Sequence, residues 1–277
     1  MRTTTLPGGE QVPVLGQGTW NMGDHDDRRS DQIKALRAGL DCGMRLIDTA
    51  EMYGDGASEE LVGEAIRGRR DDAFIVSKVL PQNSTRSGTI RACEQSLRRL
   101  GTDRIDMYLL HWRGQVPLGE TVEAFAHLQR DGKIRHWGVS NFDIDDMAEL
   151  AALPATSAPA TNQILYNLTR RGIEHELLPW CSRQAMPLMA YSPLEQNRLL
   201  TIPALQQIAA RHGATPAQIA LAWVLRHPRM TATPKAGTAE HVMQNYKALD
   251  LVLTPIDLAA LDDAFPPPTG PQPLEMI

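Results

Sequence analysis

The strongest constraint on this chain is a rhythm that runs along almost its whole length. Short apolar runs recur, each stops at a polar or charged residue, and most are followed by a stretch whose apolar positions repeat at helical spacing. The runs cover residues 15–19, 44–48, 74–77, 105–110, 136–139, 160–162, 188–190 and 231–233. A strand covered on both faces needs such a run, and the amphipathic stretches between supply the covering helices. Alternation of this kind predicts an α/β protein with a parallel sheet, and eight units predict closure into a (β/α)8 TIM barrel. A doubly wound open sheet is the rival. The barrel is favoured because polar residues stand at the ends of many runs, whereas an open sheet gathers its ligand groups at one switch point.

The connecting stretches carry their own signals. Residues 28–40 place Ile33, Leu36 and Leu40 on one stripe. Ser58 reads as an N-cap, with Glu59 and Glu60 in the first turn and Leu61, Val62, Ala65 and Ile66 facing the core. Ile90, Cys93, Leu97 and Leu100 mark another helix, and Val122, Phe125 and Ala126 a further one closed by Gly132. Thr215 and Pro216 predict the cap and first residue of a helix that buries Ile219, Ala220 and Trp223. Residues 3–6 and 11–14 flank Pro7-Gly8-Gly9-Glu10, which predicts an N-terminal β-hairpin able to plug one end of the sheet. Nothing resembles a linker before Pro266-Pro267-Pro268, so residues 1–277 are expected to form one barrel domain with a short irregular C-terminal tail.

Composition narrows the partners. With 33 acidic and 28 basic residues the formal charge is −5, and no basic run is long enough to suggest nucleic acid or an anionic membrane. Cys42, Cys93 and Cys181 are odd in number and far apart, which indicates neither a disulfide framework nor a zinc site. The first nine residues lack a secretory apolar region, and no apolar stretch approaches the ~18 residues of a membrane span. A cytoplasmic protein acting on a small molecule is expected.

In a barrel, Asp48, Tyr53, Lys78 and His111 would all stand on the rim at the carboxyl ends of the second, third and fourth strands. The set has a chemical logic. A phenol is a poor proton donor at neutral pH, a neighbouring ammonium lowers its pKa, a carboxylate keeps the ammonium charged, and a histidine opposite can hold a carbonyl group. Taken singly, each side chain also fits an ordinary role: a loop cap, a packed tyrosine, a solvated strand end, a core histidine. Their common placement raises the functional reading. Gly16-Gln17-Gly18-Thr19-Trp20-Asn21 begins like a dinucleotide fingerprint but has Asn21 where the third glycine belongs. Trp20 and Trp112 follow strand ends and suit the walls of an apolar substrate pocket.

Seven stretches, taken in order, carry a resemblance: Asp48-Thr49-Ala50-Glu51-Met52-Tyr53-Gly54, Ser77-Lys78, Leu109-Leu110-His111-Trp112, Gly138-Val139-Ser140-Asn141-Phe142, Asn162-Gln163, Ala190-Tyr191-Ser192-Pro193-Leu194 and Pro234-Lys235. Together they resemble the successive motifs of the aldo-keto reductase family, nearest to short bacterial members that reduce methylglyoxal and other small aldehydes. The resemblance implies Tyr53 as proton donor, Lys78 and Asp48 as the pair that tunes it, and His111 as the group that orients a small carbonyl substrate. It implies NADPH as cofactor, with NADH possible. Ser140, Asn141 and Gln163 would meet the carboxamide and Tyr191 would stack on the ring. Thr19, Asp48, Ser192, Pro193, Leu194 and Thr238 would add cofactor contacts, Lys235 would meet the 2′-phosphate, and Asn245 the adenine.

There are departures from the family pattern. Ala236 stands where many relatives have serine, and His241 where they have a phosphate-binding arginine, which weakens the expected preference for NADPH. Residues 195–198 are too few to fold over the pyrophosphate as a belt, and the short tail is expected to leave the mouth without a long lid. A monomer or weak homo-oligomer is implied, with no metal. Two other functions stay open: a regulatory subunit that binds the cofactor without turnover, and an aldolase forming a Schiff base through Lys78.

Overall fold

The computed structural model describes residues 1–154 and 158–277. The chain begins with the expected hairpin, β1 (Thr3–Thr5) against β2 (Gln11–Pro13). Eight parallel strands follow: β3 (Gln17–Gly18), β4 (Leu46–Asp48), β5 (Phe74–Val79), β6 (Ile105–Leu110), β7 (Ile134–Ser140), β8 (Asn162–Leu165), β9 (Leu188–Tyr191) and β10 (Met230–Ala232). Each pairs with the next in sequence. The sheet closes where Leu15 bridges Ala232 and Gly18 bridges Lys235. Gly18 is required there, because a Cβ at that position would lie 2.5 Å from the Thr233 carbonyl oxygen. The barrel expectation holds, and the open sheet is set aside.

Helices wrap the outside in chain order: α1 (Asp26–Asp41), α2 (Ala57–Ala65), α3 (Arg86–Leu100), α4 (Leu118–Arg130), α5 (Ile144–Ala151), α6 (Leu177–Arg183), α7 (Pro203–Arg211), α8 (Pro216–Val224) and α9 (Ala239–Tyr246), with α10 (Pro255–Ala264) beyond the last strand. Thr215 caps α8 through the Gln218 amide, and the Gln218 side chain returns the bond. Ser58 is not the cap of α2. Gly56, at φ 95°, starts that helix, and Ser58 lies inside its first turn. Gly54 and Asp55 are also left-handed, and this tight turn begins the helix earlier than the Ser-Glu-Glu pattern suggests. Ile33, Ile90, Leu97 and Ala126 are only partly buried, on the flanks of their stripes.

Two apolar clusters divide the interior. Outward strand residues such as Ile75 and Tyr108, together with Phe125 and Trp223 from the helices, fill the layer between strands and helices. Inward residues Leu46, Phe74, Val76, Met107, Leu109 and Met189 fill the barrel, where Leu6 and Val12 of the hairpin segment join them. The hairpin therefore plugs one end.

The period of two then decides what stands at the other end. Counting along β5, Phe74 and Val76 face inward, and so does Lys78; along β6, Met107 and Leu109 lead to His111; along β4, Leu46 leads to Asp48. Three separate strands thus deliver polar side chains to one mouth.

The C-terminal tail is short and irregular, as expected. It returns to the mouth, and Met276 and Ile277 line the cleft there. Its proline-rich start ends α10, but side-chain contacts rather than periodicity guide the rest. Among the described residues, no helix is long and apolar enough to cross a membrane, and no group of side chains is arranged to hold a metal ion.

Candidate active site

A cavity of about 680 Å³ opens at the carboxyl ends of the strands. At its floor the Lys78 ammonium, fully buried, lies 2.9 Å from Asp48 Oδ1. It donates to the Tyr53 hydroxyl at 3.0 Å and to the Thr49 carbonyl at 2.9 Å. Three oxygens around one ammonium fix its position and keep it charged. Burial works against that charge, but Asp48 and Tyr53 together outweigh it and hold the pKa above the usual lysine value.

Tyr53 corrects the expectation of a lowered pKa. Burial of the phenol raises it, and Asp48 adds to the rise; the opposing pull of Lys78 is not enough to reverse the direction. Tyr53 is half-buried and lines the cleft, with its hydroxyl bonded to Lys78. His111 packs edge-on to Tyr53, with ring centroids 6.0 Å apart, and against Trp112 at 4.9 Å. Burial, assisted by Lys78, pushes the His111 pKa down to about 2, so the ring is neutral at ordinary pH. Its Nδ1 is buried without a partner. A satisfied core histidine would not show that orphan nitrogen.

The opposite wall is a linked polar set. Gln163 Nε2 donates to Asp48 Oδ1 at 2.8 Å and lies 2.9 Å from Met189 Sδ. Ser140 Oγ donates to the Gln163 carbonyl at 2.9 Å. Asn141 Nδ2 donates to the His111 carbonyl at 3.1 Å, and Asn141 Oδ1 accepts from the Tyr191 hydroxyl at 2.8 Å. Asn141 takes φ 57°, a left-handed conformation that turns the chain at the strand end.

The cavity lining includes Thr19, Trp20, Asp48, Tyr53, His111, Trp112, Ser140, Asn141, Gln163, Tyr191, Ser192, Pro193, Leu194 and Lys235. Lys78 lies beneath it. Thr238, His241 and Asn245 are outside the lining: Thr238 caps α9 through the His241 amide at 3.2 Å, His241 is exposed, and Asn245 is buried. Lys235 is exposed at the seam, where partial desolvation in the cleft and nearby Arg28 lower its pKa and Asp24 opposes them.

Several supporting residues escape the sequence reading. Ser58 Oγ donates to Thr19 Oγ1 at 2.6 Å and stands 3.0 Å from Thr49 Oγ1, while Thr19 Oγ1 donates to the Asp48 carbonyl at 2.9 Å. This buried hydroxyl cluster braces the backbone that carries Asp48 and the Thr49 carbonyl. Glu51 Oε1 accepts from the Leu80 amide at 2.7 Å and from Asn83 Nδ2 at 3.0 Å, tying the Tyr53 loop to the end of β5. Glu59 is fully buried, accepting from Ser77 Oγ at 2.5 Å and Arg99 Nε at 2.6 Å. Its place in the first turn was a sequence signal; its partner, forty positions away, was not. Met52, Gln196, Asn197, Met276 and Ile277 also line the cavity.

This arrangement can be set beside known proteins. The aldo/keto reductase family profile matches residues 14–265, and the chain belongs to that family. It is 50% identical over 275 residues to methylglyoxal reductase YeaE of Escherichia coli (strain K12), covering 98% of this chain and 97% of that protein. It is 34% identical over 279 residues to glyoxal reductase of Bacillus subtilis (strain 168), covering 99% and 97%. An aldo/keto reductase from Klebsiella pneumoniae, solved in complex with NADP and acetate, superposes with a TM-score of 0.97 at 51% identity, covering 100% of this chain and 99% of that one.

Proposed function

We propose that this chain is an NADPH-dependent reductase that converts small aldehydes and ketones of the methylglyoxal type to alcohols. The observation that carries the reading is the contact set of Tyr53, Lys78 and Asp48 beside a neutral His111, in a cleft that also bears Lys235 at the barrel seam. The methylglyoxal reductase at 50% identity and the NADP-bound structure at 51% identity support the substrate and cofactor classes.

The residues present fit such a cofactor. Among the described lining residues, Asp48 and Lys235 are the charged ones, so the cleft offers one cation at the seam and mostly uncharged groups elsewhere. At the seam Gly18 presents backbone without a side chain. Tyr191 would cover the nicotinamide ring, Ser140, Asn141 and Gln163 would hold its carboxamide, and Lys235 would meet the 2′-phosphate. Thr19, Ser192, Pro193 and Leu194 would border the phosphates, with Thr238, His241 and Asn245 further out along α9. When bound, the nicotinamide supplies a hydride from its C4 to the carbonyl carbon.

The protein supplies alignment and the proton. Neutral His111 carries one N–H for the substrate oxygen. Tyr53, kept protonated by burial, donates its hydroxyl proton to that oxygen, and the Lys78 ammonium stays bonded to the phenolate left behind. Asp48 offsets the ammonium charge, so the pair needs no counterion from solvent. A raised Lys78 pKa also argues against the Schiff-base alternative, which needs a neutral amine. With His241 in place of a guanidinium, the margin of NADPH over NADH is modest.

Mixing the enzyme with methylglyoxal and either NADPH or NADH, and following loss of the reduced cofactor, tests the reading. Faster oxidation of NADPH is expected. Tight NADPH binding with no oxidation by methylglyoxal, glyceraldehyde or 4-nitrobenzaldehyde would make the chain a binding subunit instead.

A further inference from the structure

Two walls of the cleft belong to no barrel strand: the segment that follows β9, and the tail that follows α10. The first contributes Ser192, Leu194, Gln196 and Asn197, and the second Met276 and Ile277. The first has an unusual backbone. Ser192, Glu195, Gln196 and Asn197 lie at φ 47°, 47°, 53° and 70°, and none is glycine. L-residues keep that conformation only where neighbours hold them in it.

The holding group is a carboxylate outside the cavity lining. Glu195 is 4% exposed, and its Oε2 accepts from Asn167 Nδ2 at 2.8 Å. Asn167 donates as well to the Ser192 carbonyl at 3.0 Å. Glu195 Oε1 accepts from Arg170 Nη2 at 3.0 Å and Nε at 3.3 Å. The remaining arm of that guanidinium, Nη1, donates to Glu275 Oε1 at 2.5 Å, and Glu275 immediately precedes Met276. Neighbours of Arg170 hold the rest of the tail. Arg171 Nη1 donates to the Phe265 carbonyl at 2.5 Å, and Gly172 leaves so little room that a Cβ there would come within 3.1 Å of Gln272 Oε1.

We propose that Arg170 is a positioning residue that couples cofactor affinity to substrate affinity. One planar guanidinium fixes the loop on the cofactor side through Glu195 and the tail on the substrate side through Glu275. The inference rests on the cofactor assignment made above. Removing Arg170 takes away the near counter-charge of buried Glu195 and leaves it the more distant Arg198 at 3.9 Å, so the left-handed loop is held by Asn167 with a weaker ion pair and the tail loses its latch at the same time. Because one guanidinium serves both segments, loosening it at the tail reaches the loop and so cofactor affinity.

The test is titration of NADPH, read by quenching of protein fluorescence, against the full-length wild type, Glu275→Gln, Arg170→Gln, Arg170→Lys and the double variant Arg170→Gln/Glu275→Gln. Glu275 is half-buried and does not line the cleft, so its variant carries the test even where Arg170→Gln folds poorly. Glu275→Gln is expected to weaken NADPH binding at least about threefold, Arg170→Gln further, with partial recovery in Arg170→Lys. The double variant should bind no more weakly than Arg170→Gln alone. At saturating NADPH, Glu275→Gln should raise KM for the aldehyde while kcat stays within about twofold. Equal NADPH affinity in wild type and Glu275→Gln would overturn the coupling and leave the cofactor assignment standing. A wild type that binds no NADPH would remove the cofactor assignment, and the coupling with it.

Discussion

At the scale of single residues, protonation states decide what each group can do. His111 is held neutral by burial, with Lys78 adding to the effect, and its pKa falls to about 2. In the unfolded chain the same ring titrates near ~6.5, so as pH falls below that value the unfolded state takes up a proton that the native state refuses. Stability from this residue is therefore complete above pH ~6.5 and lost as the solution is acidified. Between pH 7 and 5 the loss is on the order of 2 kcal/mol. Denaturant unfolding at both pH values, for wild type and His111→Asn, checks it: the wild type should lose more by about that amount, and parallel losses would contradict the assignment. Tyr53 was legible as a phenol near an ammonium, but the direction of its shift was not. That direction is a balance between burial and Lys78, and burial is a property of the assembled cleft.

Elements show a different limit. The strands were legible because a doubly covered strand must be apolar, and β6 has the predicted bounds, Ile105–Leu110. Strand ends were less exact: β5 runs on through buried Lys78 to Val79, and β8 begins at Asn162, where the apolar run was expected to stop, because the polar side chains that face the cleft are still part of the ladder. The start of α2 was not. The sequence Ala57-Ser58-Glu59-Glu60 offers a cap and first-turn acids, but the left-handed turn before it makes Gly56 the cap and sends Ser58 inward. Ser58 then joins the hydroxyls of Thr19 and Thr49 beneath the site. Ser58→Ala leaves two buried hydroxyls short of a partner, which should cost about 1–3 kcal/mol. A fall in the denaturation midpoint at unchanged m-value is expected, and unaltered stability would show that the cluster braces nothing.

For the whole molecule, barrel closure turns scattered strand ends into one site. The seam between β3 and β10 brings Gly18 against Thr233 and Lys235, placing the seam lysine in the same cleft as the Tyr53 set. Gly18→Ala would drive a methyl group into the Thr233 carbonyl, and overpacking of this kind costs about 1–3 kcal/mol. Lower thermal stability together with weaker NADPH binding is the expected result; wild-type values for both would mean that the seam is more compliant than its geometry indicates. The path of the tail was hidden at sequence level for a related reason. Its anchors, Arg170 and Arg171, lie about a hundred residues earlier and signal nothing until the barrel places them beside it.

Tyr53→Phe removes one hydroxyl and leaves the ring, so cofactor binding and proton donation can be separated in a single variant. NADPH affinity should stay within about twofold of wild type, while the kcat for methylglyoxal reduction falls by roughly a hundredfold or more. Turnover at the wild-type rate would contradict the role assigned to Tyr53.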